Sequence, residues 1–267
     1  MQSLEGKVVL ITGAAGGFGR ELTRQLLMAG SLLVLSDRDE HGLHAALAET
    51  IAEIAEPDRR GRVLAAFAAD LASDVGCESL YRQVVASTPP IDMVINNAGL
   101  AHSGAFVDVP QAMWERLIQV NLLAPMRITA RFVPDMIVRR SGQIVNIASC
   151  AGLVGAPDLV SYSTSKFGLR GFGEALANEL KPHGVIVSTV YPYFARTPIL
   201  ESEHFGTSTR LTLPDAQIED PTAVIAELIA GVRSGKQHIY PGKTAKRIRN
   251  MQRLGPWAAP LLQRMLG

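Results

Sequence analysis

Short apolar runs bounded by glycine, proline and acidic residues recur along this chain, with amphipathic stretches between them. Val8 to Ile11 opens the series: four apolar residues, β-branched at three positions, read as a strand buried on both faces. Further strands are predicted over Leu32 to Ser36, Val63 to Ala69, Asp92 to Ile95, Gln143 to Ala148, Val185 to Val190 and His238 to Tyr240. The intervening helices are predicted over Arg20 to Met28, Glu40 to Glu56, Leu80 to Ala86, Gln111 to Arg140, Tyr162 to Leu180 and Pro221 to Gly235. Leu43, Leu47, Ile51 and Ile54 share one stripe of the second helix, as a helix lying on a sheet requires. The helix over Gln111 to Arg140 is apolar nearly all round, so it needs a second partner besides the sheet, which a neighbouring subunit can supply. Pro125 has no N–H to give the Asn121 carbonyl, which predicts a kink and a free acceptor there. Pro57 to Arg62 reads as a solvated basic loop and residues 198–220 as a long loop of mixed polarity.

Strand–turn–helix units in this order imply an α/β fold with a doubly wound parallel sheet and right-handed crossovers, the Rossmann architecture. One such domain is expected over residues 1–240, and 241–267 as a basic amphipathic extension. The length of 267 residues is ordinary for a single α/β domain. A net charge of +1 gives no global reason to expect a nucleic-acid partner. Cys77 and Cys150 show no metal-ligand or CxxC spacing, so no metal is expected, and the pair fits a reducing cytoplasm. No signal peptide or spanning helix is visible in the pattern.

Chemistry enters at the turn after the first strand, Thr12-Gly13-Ala14-Ala15-Gly16-Gly17-Phe18-Gly19. A glycine-rich turn into a helix N-terminus brings backbone N–H groups and the positive end of the helix dipole to a pyrophosphate. Asp37 lies about 20 residues further on, at the end of the second strand, where a carboxylate accepts hydrogen bonds from ribose hydroxyls. The same carboxylate repels a 2′-phosphate, which favours NAD, while Arg38 beside it could hold that phosphate and leaves NADP open; Asp37 could also simply cap the next helix. Asp70-Leu71 ends the third strand, with Asp70 either an acceptor for an adenine amino group or a helix cap, and Asn97-Ala98-Gly99 follows the fourth. Gly13, Asp37, Asp70 and Asn97 all fall at C-terminal strand ends, where such sheets bind ligands.

Ser149 ends the fifth strand, and Tyr162 and Lys166 follow at i, i+4 spacing, on one face of a helix. A phenol with an ordinary pKa of about 10 ionises poorly near neutrality. A neighbouring ammonium and a cationic nicotinamide favour the phenolate and should lower that value, making Tyr162 a general acid/base, with Ser149 holding the substrate oxygen. Together these motifs resemble the short-chain dehydrogenase/reductase family over residues 7 to about 200. The resemblance implies a catalytic set of Asn121, Ser149, Tyr162 and Lys166, with Asn121 holding a relay water through its main-chain carbonyl and Lys166 also binding the nicotinamide ribose. It implies cofactor contacts at Gly13, Gly17, Phe18, Gly19, Asp37, Arg38, Asp70, Leu71, Asn97, Ala98, Gly99, Tyr162, Lys166, Pro192 and Thr197, the last touching the carboxamide. A homodimer or homotetramer is expected.

The chain departs from that family at Tyr193, where Pro-Gly is common; the tyrosine restricts the backbone and adds bulk beside the nicotinamide site. Cys150 reads as a small apolar filler. Leu100 to Phe106, Cys150 to Pro157 and Tyr193 to Phe205 are rich in apolar and small residues, which points to an apolar small-molecule substrate. The expected reaction is NAD-linked interconversion of a secondary alcohol and a ketone; an NADP-linked carbonyl reductase and a non-catalytic nucleotide sensor are the alternatives. From Leu228 onward there is no acidic residue, and Ile248, Met251, Leu254, Trp257, Leu261, Leu262, Met265 and Leu266 lie among basic ones. Such a tail could lid the pocket, pack on a neighbouring subunit or rest weakly on an anionic membrane.

Overall fold

A computed structural model describes residues 2–55, 58, 60–207 and 214–252. Seven parallel strands form one sheet in the order β3-β2-β1-β4-β6-β7-β9. They are β1 (Val8–Thr12), β2 (Leu32–Asp37), β3 (Arg62–Ala68), β4 (Met93–Asn96), β6 (Gly142–Ile147), β7 (Val185–Val190) and β9 (His238–Ile239). All seven predicted strands are present. A separate pair, β5 (Ser103–Gly104) and β8 (His204–Phe205), joins two loops at the C-terminal end of the sheet and is absent from the sequence expectation.

Alternation along the strands sends side chains to two faces. Val9 and Ile11 pack with Leu22, Leu26 and Leu27 of α1 (Gly17–Met28) and with Ile225 and Leu228 of α7 (Pro221–Arg233). Leu43 of α2 (Glu40–Ala52) joins that cluster, with Leu47 and Ile51 at its edge. Val8 and Leu10 face the other way, onto Leu80 and Val84 of α3 (Asp74–Ser87) and Ile128, Phe132 and Met136 of α5 (Ala124–Arg139). This is the doubly wound arrangement.

The predicted helix over Gln111 to Arg140 is broken. α4 (Gln111–Ile118) is followed by a π-helical turn, Gln119–Leu123, before α5 begins. The break falls where Pro125 cannot donate to the residue four back, and the backbone widens by one residue instead of bending sharply. α6 (Val160–Leu180) then carries Tyr162 and Lys166.

The last described helix, α8 (Lys243–Gln252), turns Ala245 and Ile248 inward, both 0% exposed, against Cys150, Leu153, Tyr191 and Tyr193. Ile248 of the tail's apolar stripe is thus taken up by the domain, with Met251 partly buried against the same cluster. Leu254, Trp257 and the apolar residues after them lie outside the described residues. Among the described residues no helix is long and apolar enough to cross a membrane.

Candidate active site

Thr12, the last residue of β1, is the hub from which the cofactor side of the site is built. Its hydroxyl accepts from the N–H groups of Asn97 and Ala98, each at 3.1 Å. Asn97 answers with its side-chain amide, donating to the carbonyls of Thr12 at 2.9 Å and Gly13 at 3.0 Å. The ends of β1 and β4 are thereby locked together, and Gly13 lies so near the Ala98 backbone that a Cβ would come within 2.7 Å of its Cα. Gly13 also has φ +66°, in the left-handed region that glycine alone enters freely. Gly19 is tighter still: a Cβ there would lie 2.0 Å from the Gly13 carbonyl oxygen. Two of the three motif glycines are thus fixed by packing of the turn on itself and on β4.

The turn fits a diphosphate. Gly17, Phe18 and Gly19 open α1, and the first N–H groups of a helix have no partner within it. Gly16 is open, since a Cβ there would meet only the Gly13 carbonyl oxygen, at 3.5 Å, while the Phe18 side chain packs into the core beneath. Thr197 closes the other side, its Cγ2 2.6 Å from where a Gly17 Cβ would stand. Asp37 accepts from the Ala15 N–H at 2.9 Å and from the Arg38 N–H at 2.8 Å, which aims its carboxylate along the turn. The helix cap of α2 is Asp39, not Asp37. Arg38 is exposed.

Asp70 accepts from the Ala72 N–H at 3.0 Å and from Arg116 at 3.1 Å, while Ser73 caps α3. The Ala72 hydrogen bond, with Arg116 beside it, holds the Asp70 carboxyl below its usual range. Leu71 is buried in the core behind the strand end. Gly99 lies over Asn121 and Lys166, a Cβ there standing 3.5 Å from Asn121 Oδ1 and 3.8 Å from Lys166 Nζ.

Asn121 is fully buried within the π-helical turn. Its amide donates to the Leu100 carbonyl at 2.8 Å and its Oδ1 accepts from the Leu100 N–H at 2.7 Å. The side chain is therefore committed to the loop after β4, which it also ties to Ser165 of α6 at 3.3 Å. Ser149 follows β6 and accepts from the Ala151 N–H at 3.1 Å. The Ser149 hydroxyl also acts to lower the pKa of the Tyr162 phenol. Desolvation is the larger effect and pushes Tyr162 up to about 12. Among protein groups alone the direction is thus opposite to the sequence expectation, because burial outweighs what the neighbours supply.

Lys166 is 5% exposed, donates to the Ile147 carbonyl at 2.9 Å and stands 5.5 Å from the Tyr162 ring centroid. Burial lowers its pKa to about 8. The structure therefore brings Asn121, Ser149, Tyr162 and Lys166 into one cluster at the C-terminal edge of β4 and β6. Thr12, Leu100 and Ser165 support it; Thr12 opens the glycine motif and Leu100 a candidate pocket segment, but the motifs assign none of the three this supporting role.

Pro192 accepts from the Cys150 N–H at 2.9 Å, joining the segments after β7 and β6. Cys150 is buried, and burial pushes its thiol up. Tyr193 is 5% exposed, packs edge-on against Phe194 and belongs to the cluster that receives α8. Among the described residues only Arg140 and Asp158 are non-glycine residues with positive φ, so position 193 makes no demand for glycine. Among the same residues no group of three or more His, Cys, Asp or Glu is arranged to hold a metal ion.

Comparison with known proteins adds to this geometry. A family model described as short chain dehydrogenase matches residues 7–205. The 3-oxoacyl-(acyl-carrier-protein) reductase of Aquifex aeolicus is 34% identical over 194 residues, 73% of this chain and 76% of that one. Human epidermal retinol dehydrogenase 2 is 31% identical over 245 residues, 91% of this chain and 76% of that one. Among solved structures, a short-chain dehydrogenase from Sphingobium yanoikuyae in complex with NADPH superposes with a TM-score of 0.76 at 29% identity, covering 87% of each chain.

Proposed function

The chain belongs to the short-chain dehydrogenase/reductase family, and on that premise we propose that it interconverts a secondary alcohol and a ketone, with Tyr162 moving the hydroxyl proton. The observation that carries this reading is the Lys166 ammonium, buried 5.5 Å from the Tyr162 ring, with the Ser149 hydroxyl acting on the same phenol. The nicotinamide cofactor, when bound, supplies or accepts the hydride. Tyr162 keeps its proton at neutral pH and delivers it to the carbonyl oxygen in the direction of reduction. Ser149 holds that oxygen by a hydroxyl hydrogen bond. Lys166, charged below about pH 8, favours the phenolate left behind. Asn121 fixes the loop after β4, and its main-chain carbonyl is the candidate for holding a relay water.

Gly13, Gly17, Phe18 and Gly19 would hold the diphosphate, Asp37 the adenine ribose, and Asp70 and Leu71 the adenine. Asn97, Ala98, Gly99, Pro192 and Thr197 would line the nicotinamide half, where Lys166 reaches the second ribose. NAD is the preferred cofactor in this reading, because burying a phosphate dianion against Asp37 is costly. The NADPH complex of a relative and the exposed Arg38 favour NADP instead. The apolar and small residues of Leu100 to Phe106 and Tyr193 to Phe205, and the likeness to a retinol dehydrogenase, support an apolar substrate. Initial rates of reduction of aryl, steroidal and long-chain ketones with NADH and NADPH test both points. Higher kcat/KM with NADH is expected; higher kcat/KM with NADPH overturns the cofactor preference.

A further inference from the structure

His102 lies outside the set just assigned, yet it is 3% exposed and sits where three loops bordering Tyr162 meet. Its Nε2 is 2.7 Å from the hydroxyl of Ser161, the residue before Tyr162 on the first turn of α6. Its ring packs edge-on against Phe205 of β8, with centroids 5.9 Å apart. The next residue, Ser103, begins β5, pairs with β8 and places its hydroxyl 2.8 Å from His204 Nδ1. The Gly104 N–H then donates to the Asp158 carbonyl at 2.9 Å, in the loop that leads into α6. Residues 102–104 thus tie the segment after β4 to the entry of α6 and to the segment returning after β7.

We propose that His102 is a positioning residue: its ring, held between Ser161 and Phe205, fixes the first turn of α6 and with it the direction of the Tyr162 hydroxyl. The proposal rests on the role assigned above to Tyr162. An aliphatic side chain would fill the same space but leave the buried Ser161 hydroxyl without this partner. Burial lowers the His102 pKa, and Glu203 acts more weakly in the opposite direction. The titratable groups nearest it on the elements packed against it are His204, bonded to Ser103, Asp158 on the loop it clamps, and Tyr162 and Lys166 on the first turns of α6. A histidine whose folded pKa lies below its ordinary value of about 6.5 binds its proton more readily when released. The clamp is therefore intact above that pH and loosens as pH falls below it.

Amide hydrogen exchange of the full chain reads the turn directly, with the β1 amides as internal reference and intrinsic pH effects removed. In the unaltered protein, protection of residues 163–167 should drop between about pH 7.5 and about pH 5.5. His102→Leu should lower that protection about tenfold at both values, the effect of an unpaired buried hydroxyl. His102→Gln, which keeps a polar group facing Ser161 and does not titrate, should restore protection and remove the pH response. Unchanged protection in His102→Leu overturns the proposal, as does a His102→Gln response to pH equal to that of the unaltered chain. If His102→Leu does not fold, the comparison of His102→Gln with the unaltered chain still decides. Because exchange does not depend on turnover, its failure is distinguishable from failure of the Tyr162 assignment.

Discussion

Lys166 holds an ammonium group in a buried site where a backbone carbonyl and a tyrosine ring face it, so its charge is held at the expense of stability. The unfolded chain retains this proton to about pH 10.5, whereas the folded one releases it near 8. Between those values the unfolded state binds more protons, and the stability owed to this group rises with pH. At neutral pH the buried charge costs roughly 3 kcal/mol. Lys166→Met should therefore raise Tm at pH 7 by a few degrees while turnover is lost, and the gain should shrink from about pH 8 to pH 10.5. Calorimetry across that range checks it; a lower Tm at pH 7 would contradict the account. Lys166, Tyr162 and Ser149 are legible from spacing and strand ends alone. Thr12 stands in the glycine motif, but its role in joining β1 to β4 is not legible, because its partners Asn97 and Ala98 lie 85 and 86 residues away and only the fold brings them near.

The strands are readable because a parallel strand buried on both faces is a continuous apolar run. β5 and β8 are not: each is two residues long and exists only through pairing with the other, which leaves no periodicity to detect. The break in the Gln111 to Arg140 helix follows from Pro125, but the sequence does not show its form, a π-helical turn within which Asn121 bonds Leu100 across the loop after β4. α6 offers a test of packing at the level of one helix. Gly171 has open space where a Cβ would stand, whereas a Cβ on Gly173 would lie 2.2 Å from the Thr189 hydroxyl on β7. Gly171→Ala should stabilise the protein by about 0.5–1 kcal/mol through helix propensity. Gly173→Ala should destabilise it by about 1–3 kcal/mol, through overpacking against the sheet. Urea unfolding of the two variants measures both, and equal midpoints would show that α6 does not sit on β7 as described.

Seen as a whole, the molecule leaves apolar side chains exposed on α5 and α6: Met126 at 40%, Val138 at 83% and Phe167 at 42%. The expected homodimer or homotetramer would cover such a face, and Phe167→Glu should then shift the mass found by light scattering towards the monomer. A monomeric unaltered protein at micromolar concentration would rule that out. The same view places the C-terminal strand ends, the glycine turn and the Tyr162 cluster along one edge of the sheet, the edge at which doubly wound sheets bind ligands. The central claim is that a hydride passes there to a ketone carbon while Tyr162 supplies the proton. Reduction of an apolar ketone panel with cofactor deuterated at the transferred position, read by mass spectrometry and NMR, tests it most directly. One deuterium on the carbinol carbon is predicted, with the rate falling roughly 10²-fold or more in Tyr162→Phe at unchanged cofactor affinity. Failure to transfer the label to any ketone, or near-normal transfer by Tyr162→Phe, would contradict the account.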